Sequence, residues 1–485
     1  MSTETRRDLF RLTLILLVAA FLRFRHLGGP SFWLDEAYTW YLTFPSWREV
    51  WGVMMLISDT SPLHYLATRL TVPFFGRSEF ALRFVALSAA LLALPVVYRV
   101  GRTMFNRRVG LIAALLLALS PFAVWYARDA RPYGFYLLFA ALALWGFWRW
   151  AEEGRGPWLF VSSSAALYLA HYASALFAFA QAGYILMGLR RNPLLFRRWF
   201  VWQTLAALPT AIYALIFLLR RQPLTANTWI PRPGLLAPAQ TLINFLSAEA
   251  DGLTWLGALI ALSGGMLLIL GLQPCGSTSA RAQQGAARRL LLWWLLLPML
   301  AAWLLSFRLP AYVDRFFFPE IIALGLLLSA GLVWLVEQQG RLAWAQLALG
   351  LSALLACGGM LAISLRLGTS PRYAKEDWRG AARYITTQLP NAPLLAQDGE
   401  VLLGLLPYRP GQESDKQALP ENLDSTNEPL VVVLRSLKDS NHALSKTAPF
   451  DPLTESPLAD WFAAHRARVV LVQRFTGIGV VVVMP

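Results

Sequence analysis

Two adjacent carboxylates, Asp35 and Glu36, stand in the stretch WLDEAYTW (33–40), just past an apolar segment and among Trp33, Tyr38, Trp40 and Tyr41. A carboxylate at a lipid boundary can take a proton from a hydroxyl nucleophile, and partial burial among aromatics tunes its pKa for that task. Further along, YARDARPYGFY (126–136) supplies Arg128, Asp129, Arg131 and Tyr133, and SPLHYL (61–66) supplies His64 and Tyr65. HYAS (171–174) adds His171 and Tyr172, and RLPAYVDRFFFPE (308–320) adds Arg308, Tyr312 and Arg315. Arginine suits a phosphate that has one face in lipid, because its planar N–H fork matches phosphate oxygens. Acid, cations and aromatics together fit transfer of a group from a lipid phosphate to a hydroxyl. The histidines are too sparse for a metal site, which needs three or four ligands, so no metal or other cofactor is expected.

These residues need elements to position them. The chain has 485 residues, of which 56% are hydrophobic and only 15% charged, where a soluble domain carries about 25% charged residues. Mean hydropathy is +0.48. Apolar runs of helical length recur through the first three quarters, which predicts a polytopic α-helical membrane protein. Spans are expected to about residue 27 and near 80–98, 109–126, 133–150, 158–170, 173–188, 200–219, 253–272, 290–306, 316–336 and 343–365, about eleven in all. The net charge of +15 comes from arginines gathered in short loops between spans. That is the pattern membrane topology requires, and it argues against nucleic acid as a partner.

One stretch decides the topology. Residues 158–189 read either as one long helix or as two short ones meeting near His171. Two helices put Arg190, Arg191, Arg197 and Arg198 on the same side as Arg99, Arg102, Arg107 and Arg108, and as Arg281, Arg288 and Arg289. Positive residues favour the cytoplasm, so the two-helix reading is preferred. The acid pair and the loops quoted above then all emerge on the opposite face. Short outer loops should be poor in arginine, yet these keep several. Cys275 falls in a predicted cytoplasmic loop and Cys357 in a span, so no disulfide is expected.

After Arg366 the character changes. Residues 367–485 are richer in acids and prolines. EDWRGAARYITTQL reads as a helix with acids in its first turn, and 430–434, 467–473 and 478–484 read as strands, the last two joined through Phe475, Thr476 and Gly477. The expected layout is a membrane domain over 1–366, whose first outer loop (28–79) carries the acid pair, and a small extracytoplasmic α/β domain over 367–485.

The segments WLDEAYTW, SPLHYL, YARDARPYGFYLLFAALALWGFWRW and KEDWRGAARYI resemble those of polytopic bacterial glycosyltransferases of the GT-C fold. More closely, they resemble the dolichyl-phosphate-mannose–protein mannosyltransferase-like superfamily, which includes the aminoarabinose transferase type. The resemblance is strongest over 28–190 and weakest at the C-terminus. It implies an inverting enzyme of the bacterial inner membrane. Such an enzyme takes a sugar from a polyprenyl phosphate and gives it to a hydroxyl of a lipid, glycan or protein. It implies that Asp35 is the catalytic base, with Glu36 its companion and Asp129 in a supporting role. Arg128, Arg131, Tyr133 and Arg315 are its candidates for the donor phosphate. Some relatives use a lysine there, and an arginine would have to replace it here.

Two other readings stand beside this one. A transporter or flippase of lipid-linked saccharides should show charges buried mid-span and repeated broken helices, whereas here the charges gather at one face and no repeat is evident. A non-catalytic assembly protein would survive loss of the acid pair.

Overall fold

The computed structural model describes residues 3–56, 62–188, 193–219, 230, 232–248, 255–274, 278–338, 343–370, 373–390, 392–409, 418, 420–424, 428–436 and 450–485. Ser61, Arg190, Arg191 and Cys275 lie outside the described residues. Cys357 is a half-buried free thiol.

A helix lies over each of the eleven apolar segments: Thr3–Phe24, Glu79–Met104, Arg107–Leu119 followed by Pro121–Ala127, Tyr133–Ala151, Trp158–Ala170, Ala175–Met187, Pro193–Leu219, Trp255–Gly271, Thr278–Leu305, Glu320–Glu337 and Ala343–Arg366. Among the described residues five helices are long and apolar enough to cross a membrane, six if the bent pair is one span. The protein is a multi-pass membrane protein. Pro95, Pro209 and Pro298 lie inside three of these helices, as membrane helices tolerate where neighbours satisfy the freed carbonyls.

The third segment is not the straight span expected over 109–126. It breaks at Ser120–Pro121 with a bend of 64°. Pro121 has no N–H to continue the ladder, and the Ser120 Oγ caps the second half by accepting from the Ala123 N–H at 3.1 Å. The 158–189 stretch divides near His171, as expected. His171 is extended (φ −161°, ψ 134°) and ends the first helix, and a single 3-10 turn leads into the second. The two halves keep different company, the first against Tyr133–Ala151 and the second against Thr278–Leu305.

The chain forms two compact units. One comprises Met1–Arg25, Met54–Ala67 and Phe84–Leu365; the other comprises His26–Val53, Thr68–Arg83 and Arg366–Pro485. The change at residue 366 coincides with the shift in composition. The second unit, however, also takes in 26–53 and 68–83, which the sequence reading kept with the membrane domain. The physical reason is a set of buried ionic bonds, described below, that ties these segments to residues 375–408.

In the second unit, strands β1 (Leu394–Ala396), β2 (Leu430–Arg435), β3 (Val469–Phe475) and β4 (Ile478–Val483) form one sheet in the order β1-β2-β4-β3. β1 pairs parallel with β2, and the other pairs are antiparallel. Alternation splits the inner strands between two cores. Leu430, Val432, Leu434, Val481 and Val483 pack with Trp461 and Phe462, while Val431, Val433, Ile478 and Val480 pack with Trp378, Ile385 and Leu405. The β3–β4 hairpin turns at Gly477, whose φ of +69° favours glycine. The Thr476 carbonyl in that turn accepts from the Asp377 N–H at 3.0 Å. Asp377 in turn caps the Trp378–Gln388 helix, accepting from the Gly380 N–H at 2.9 Å.

In the first unit, Gly134 sets how closely Tyr133–Ala151 approaches Glu79–Met104. A Cβ there would lie 1.9 Å from the Ala86 carbonyl oxygen, so any larger residue would force the helix that starts at Tyr133 away from its neighbour.

Candidate functional site

The acid pair lies in the first turn of a short helix, Leu34–Tyr41, where the helix dipole favours negative charge. Its two members have different surroundings. Glu36 is fully buried and Asp35 is half-buried. Glu36 takes a two-pronged bond from Arg83, Nε to Oε1 and Nη2 to Oε2, each at 2.7 Å. The remaining Arg83 donors reach the carbonyls of Leu27 (2.8 Å), Pro30 (2.9 Å) and Ser31 (2.9 Å). All five N–H groups of this buried guanidinium are thereby bonded. Lys375 lies 3.1 Å from Glu36 Oε2.

Glu376 completes the set. It is buried, and its Oε2 accepts from the Leu34 N–H at 3.0 Å and from the Trp378 indole N–H at 2.9 Å. Glu79 binds Arg379 and accepts from the Tyr408 hydroxyl at 2.6 Å, and that hydroxyl accepts from the Phe32 N–H at 2.7 Å. Two buried carboxylates, Glu36 and Glu376, thus balance two cations, Arg83 and Lys375, which satisfies the requirement that buried charge be paired. Residues 27–36 are held from both sides by these bonds, and Asp35 is carried on the result. The Gly399–Leu405 helix packs on the helix of the acid pair. Its Glu400 carboxyl is raised above the usual carboxylate range by burial first and then by Asp398, Asp35 and Glu376, with Arg435 opposing.

The first unit holds the other candidates. Arg131 is buried and donates to the Tyr65 hydroxyl at 2.7 Å. His64 is buried, with Nε2 3.2 Å from the Ala130 carbonyl, so that nitrogen carries the proton. His171 accepts the Ala173 N–H on Nδ1 at 3.2 Å, which likewise puts its proton on Nε2. Its ring stacks on Tyr136 (4.6 Å, 9°) and on Tyr172 (4.8 Å, 24°), with Phe316 at 5.3 Å. The Tyr136 hydroxyl donates to the Phe316 carbonyl at 2.9 Å, which fixes the loop that bears Arg315. Burial pushes both histidines down to about 3; Arg131 adds to the shift of each, and Arg315 to that of His171. Both rings are therefore neutral at physiological pH, and the positive charge here belongs to arginines alone.

The structure brings most of this second group together. His64, Tyr65, Arg131, Tyr133, His171, Tyr172 and Arg315 are linked by the contacts above and by the Tyr133–His171 ring pair at 6.1 Å. Arg128 and Asp129 are buried on the same turn as Arg131. Two candidates have other settings. Tyr312 donates to Thr241 (2.7 Å), whose own proton goes to Asp314 (2.7 Å), a lock that anchors the Ala237–Ser247 helix. Arg308 is exposed on the turn after Thr278–Leu305. The sequence reading missed Arg83 and Glu376 and gave Lys375 no role. A signal was present: Arg83 is a charge inside an apolar helix, and such a charge requires a partner. Among the described residues no group of three or more His, Cys, Asp or Glu could hold a metal ion.

Residues 59–217 match the family model described as dolichyl-phosphate-mannose-protein mannosyltransferase. No curated protein sequence matches the chain. Over nearly its whole length the fold is similar to that of ArnT from Cupriavidus metallidurans. In the apo state the TM-score is 0.59 at 15% identity, covering 99% of this chain and 98% of that one. With ArnT bound to undecaprenyl phosphate it is 0.54 at 14%, covering 97% of each. The family model thus covers about a third of the chain, and the likeness to ArnT is one of fold. The family match covers His64 to Tyr172, whereas the acid pair lies N-terminal to the matched residues.

Two outcomes follow from this geometry. Arg83→Met leaves Glu36 buried without its main partner, and thermal unfolding in detergent should show a loss of about 3–5 kcal/mol; Arg83→Lys, which cannot reproduce the fork, should recover only part of it. The histidines give a pH dependence. Their folded pKa values lie at about 3, and the unfolded value is about 6.5. Between those limits the unfolded chain binds more protons, so stability rises with pH across the window. Melting temperatures measured from pH 4 to 6.5 should climb, and His64→Gln with His171→Asn should flatten the climb.

Proposed function

We propose that this chain is an inverting glycosyltransferase of the membrane that moves a sugar from a polyprenyl phosphate to a hydroxyl acceptor. The observation that supports this most is the cluster of Arg131 and Arg315 around neutral His64 and His171, inside an apolar, multi-pass bundle. A guanidinium buried among tyrosines and uncharged imidazoles is a receptor for an anion with a lipid tail. In this reading Arg128, Arg131 and Arg315 take up charge on the phosphate as the C1–O bond of the donor breaks. Arginine fills the place that lysine holds in some relatives. The acceptor oxygen attacks C1 from the face opposite the phosphate, and its proton goes to Asp35. Glu36, committed to Arg83 and Lys375, has no capacity left for that proton. Asp129 keeps the supporting role that the resemblance implies. The reaction is assigned to the extracytoplasmic face, because the arginine clusters at 99–108 and 281–289 mark the cytoplasmic one.

In proteoliposomes with a polyprenyl-phosphate sugar and an extract containing the native acceptor, wild-type protein should transfer sugar and keep full activity in EDTA. Arg131→Ala or Arg315→Ala should weaken donor use, because losing one partner of a buried charge pair costs about 2–5 kcal/mol. Transfer that vanishes in EDTA and returns with Mg²⁺ would show that a metal, not arginine, holds the phosphate. Unchanged donor use in both arginine variants would overturn the assignment outright.

A further inference from the structure

Arg23 lies one residue from the end of the Thr3–Phe24 helix and is 1% exposed. In the sequence it reads as no more than the basic flank of a span. A cation buried in such a helix is costly unless protein oxygens surround it, and the broken third segment supplies them.

In a continuous helix each carbonyl receives the N–H four residues on. The break at Ser120–Pro121 removes that partner from three successive carbonyls. Leu117 loses its donor because Pro121 has no N–H. Ala118 loses the Phe122 N–H as the chain bends away. Leu119 loses the Ala123 N–H, which turns to the Ser120 Oγ instead. Each of the three is met from another helix. Arg23 Nη2 donates to the Leu117 carbonyl at 3.0 Å, and Arg23 Nη1 to the Ala118 carbonyl at 3.0 Å. The Ser364 Oγ donates to the Leu119 carbonyl at 2.9 Å. Arg23 Nη1 also reaches the Ala19 carbonyl of its own helix at 3.3 Å, which braces the side chain. A guanidinium at this helix end also complements the partial negative charge there. On the far side of the break, the Ser120 hydroxyl donates to the Phe245 carbonyl at 2.6 Å.

We propose that Arg23, seconded by Ser364, is a positioning residue that holds the third membrane segment broken, so that Pro121–Ala127 delivers Arg128, Asp129 and Arg131 along a bent course. The value of that delivery rests on the phosphate role proposed above for those arginines; the clamp rests on the three carbonyls.

The test uses full-length protein purified in detergent, with Arg23→Met (similar reach, no donors), Arg23→Lys and Ser364→Ala. Hydrogen exchange of peptides across 117–131 reads the segment, and binding of undecaprenyl phosphate as probe reads the arginines. Arg23→Met should speed exchange across 117–131 with little change elsewhere and weaken probe binding about tenfold, equivalent to about 1.4 kcal/mol. Arg23→Lys should restore part of both, and Ser364→Ala should show a smaller effect confined to the same peptides. Exchange at the wild-type rate across 117–131 would overturn the clamp. So would exchange raised equally over the whole chain, the sign of plain destabilisation. Locally faster exchange with unaltered probe binding would uphold the clamp and overturn the phosphate role. If Arg23→Met does not fold, the lysine and serine variants decide by the same two readouts.

Discussion

One buried ion pair organises the region that carries the acids. Arg83 uses every donor it has, two on Glu36 and three on the carbonyls of residues 27–31. Arginine alone among the side chains offers five N–H groups in a fixed plane, which is why it can close a loop and bind a carboxylate together. With Lys375 and Glu376 the set is neutral, so the loop can be buried without stranding a charge. The short helix that starts at Leu34 inherits its position from these bonds, and Asp35 inherits its position from that helix. Two neighbouring carboxylates thereby have different surroundings, Glu36 buried in ion pairs and Asp35 half-buried beside it.

The membrane unit solves a related problem with different parts. Here the cations are arginines, and the histidines beside them are kept neutral by burial. His64 and His171 shape and brace, through the Ala130 carbonyl and the Tyr136 stack, and leave the electrostatics to the arginines. Each polar group in this apolar setting has a structural cost, and the polar partners sit where the helices are interrupted: at Ser120–Pro121, at His171 and in the loop before Glu320. Interruptions release backbone groups that side chains can then bond. Breaks in membrane helices and clusters of polar residues therefore occur together.

Much of this is legible in the sequence. Apolar runs mark the helices, the placement of the Arg-rich loops favours two short helices around His171, and β-branched apolar runs mark β2, β3 and β4. The loop motifs also announce most of the polar cluster, because arginine, histidine and tyrosine are scarce in membrane helices. What periodicity does not carry is pairing between distant residues. The bond between Glu36 and Arg83 joins two motifs of which only one looks chemical, and Lys375 stands in a segment quoted for its likeness to relatives rather than for its charge. The bend at Ser120–Pro121 was also hidden, since a proline in a membrane helix need not break it. β1, three residues long, is too short to stand out as such a run, and it pairs in parallel with β2.

The division of labour between the two acids is the central claim, and one paired measurement tests it. Asp35→Asn and Glu36→Gln would be purified side by side, and for each variant both turnover in proteoliposomes and thermal unfolding would be recorded. The account predicts that Asp35→Asn loses turnover by about 10²–10⁴-fold while melting like the wild type, and that Glu36→Gln loses stability first. Near-normal turnover in Asp35→Asn, or a Glu36→Gln protein that is fully stable yet inactive, would contradict it.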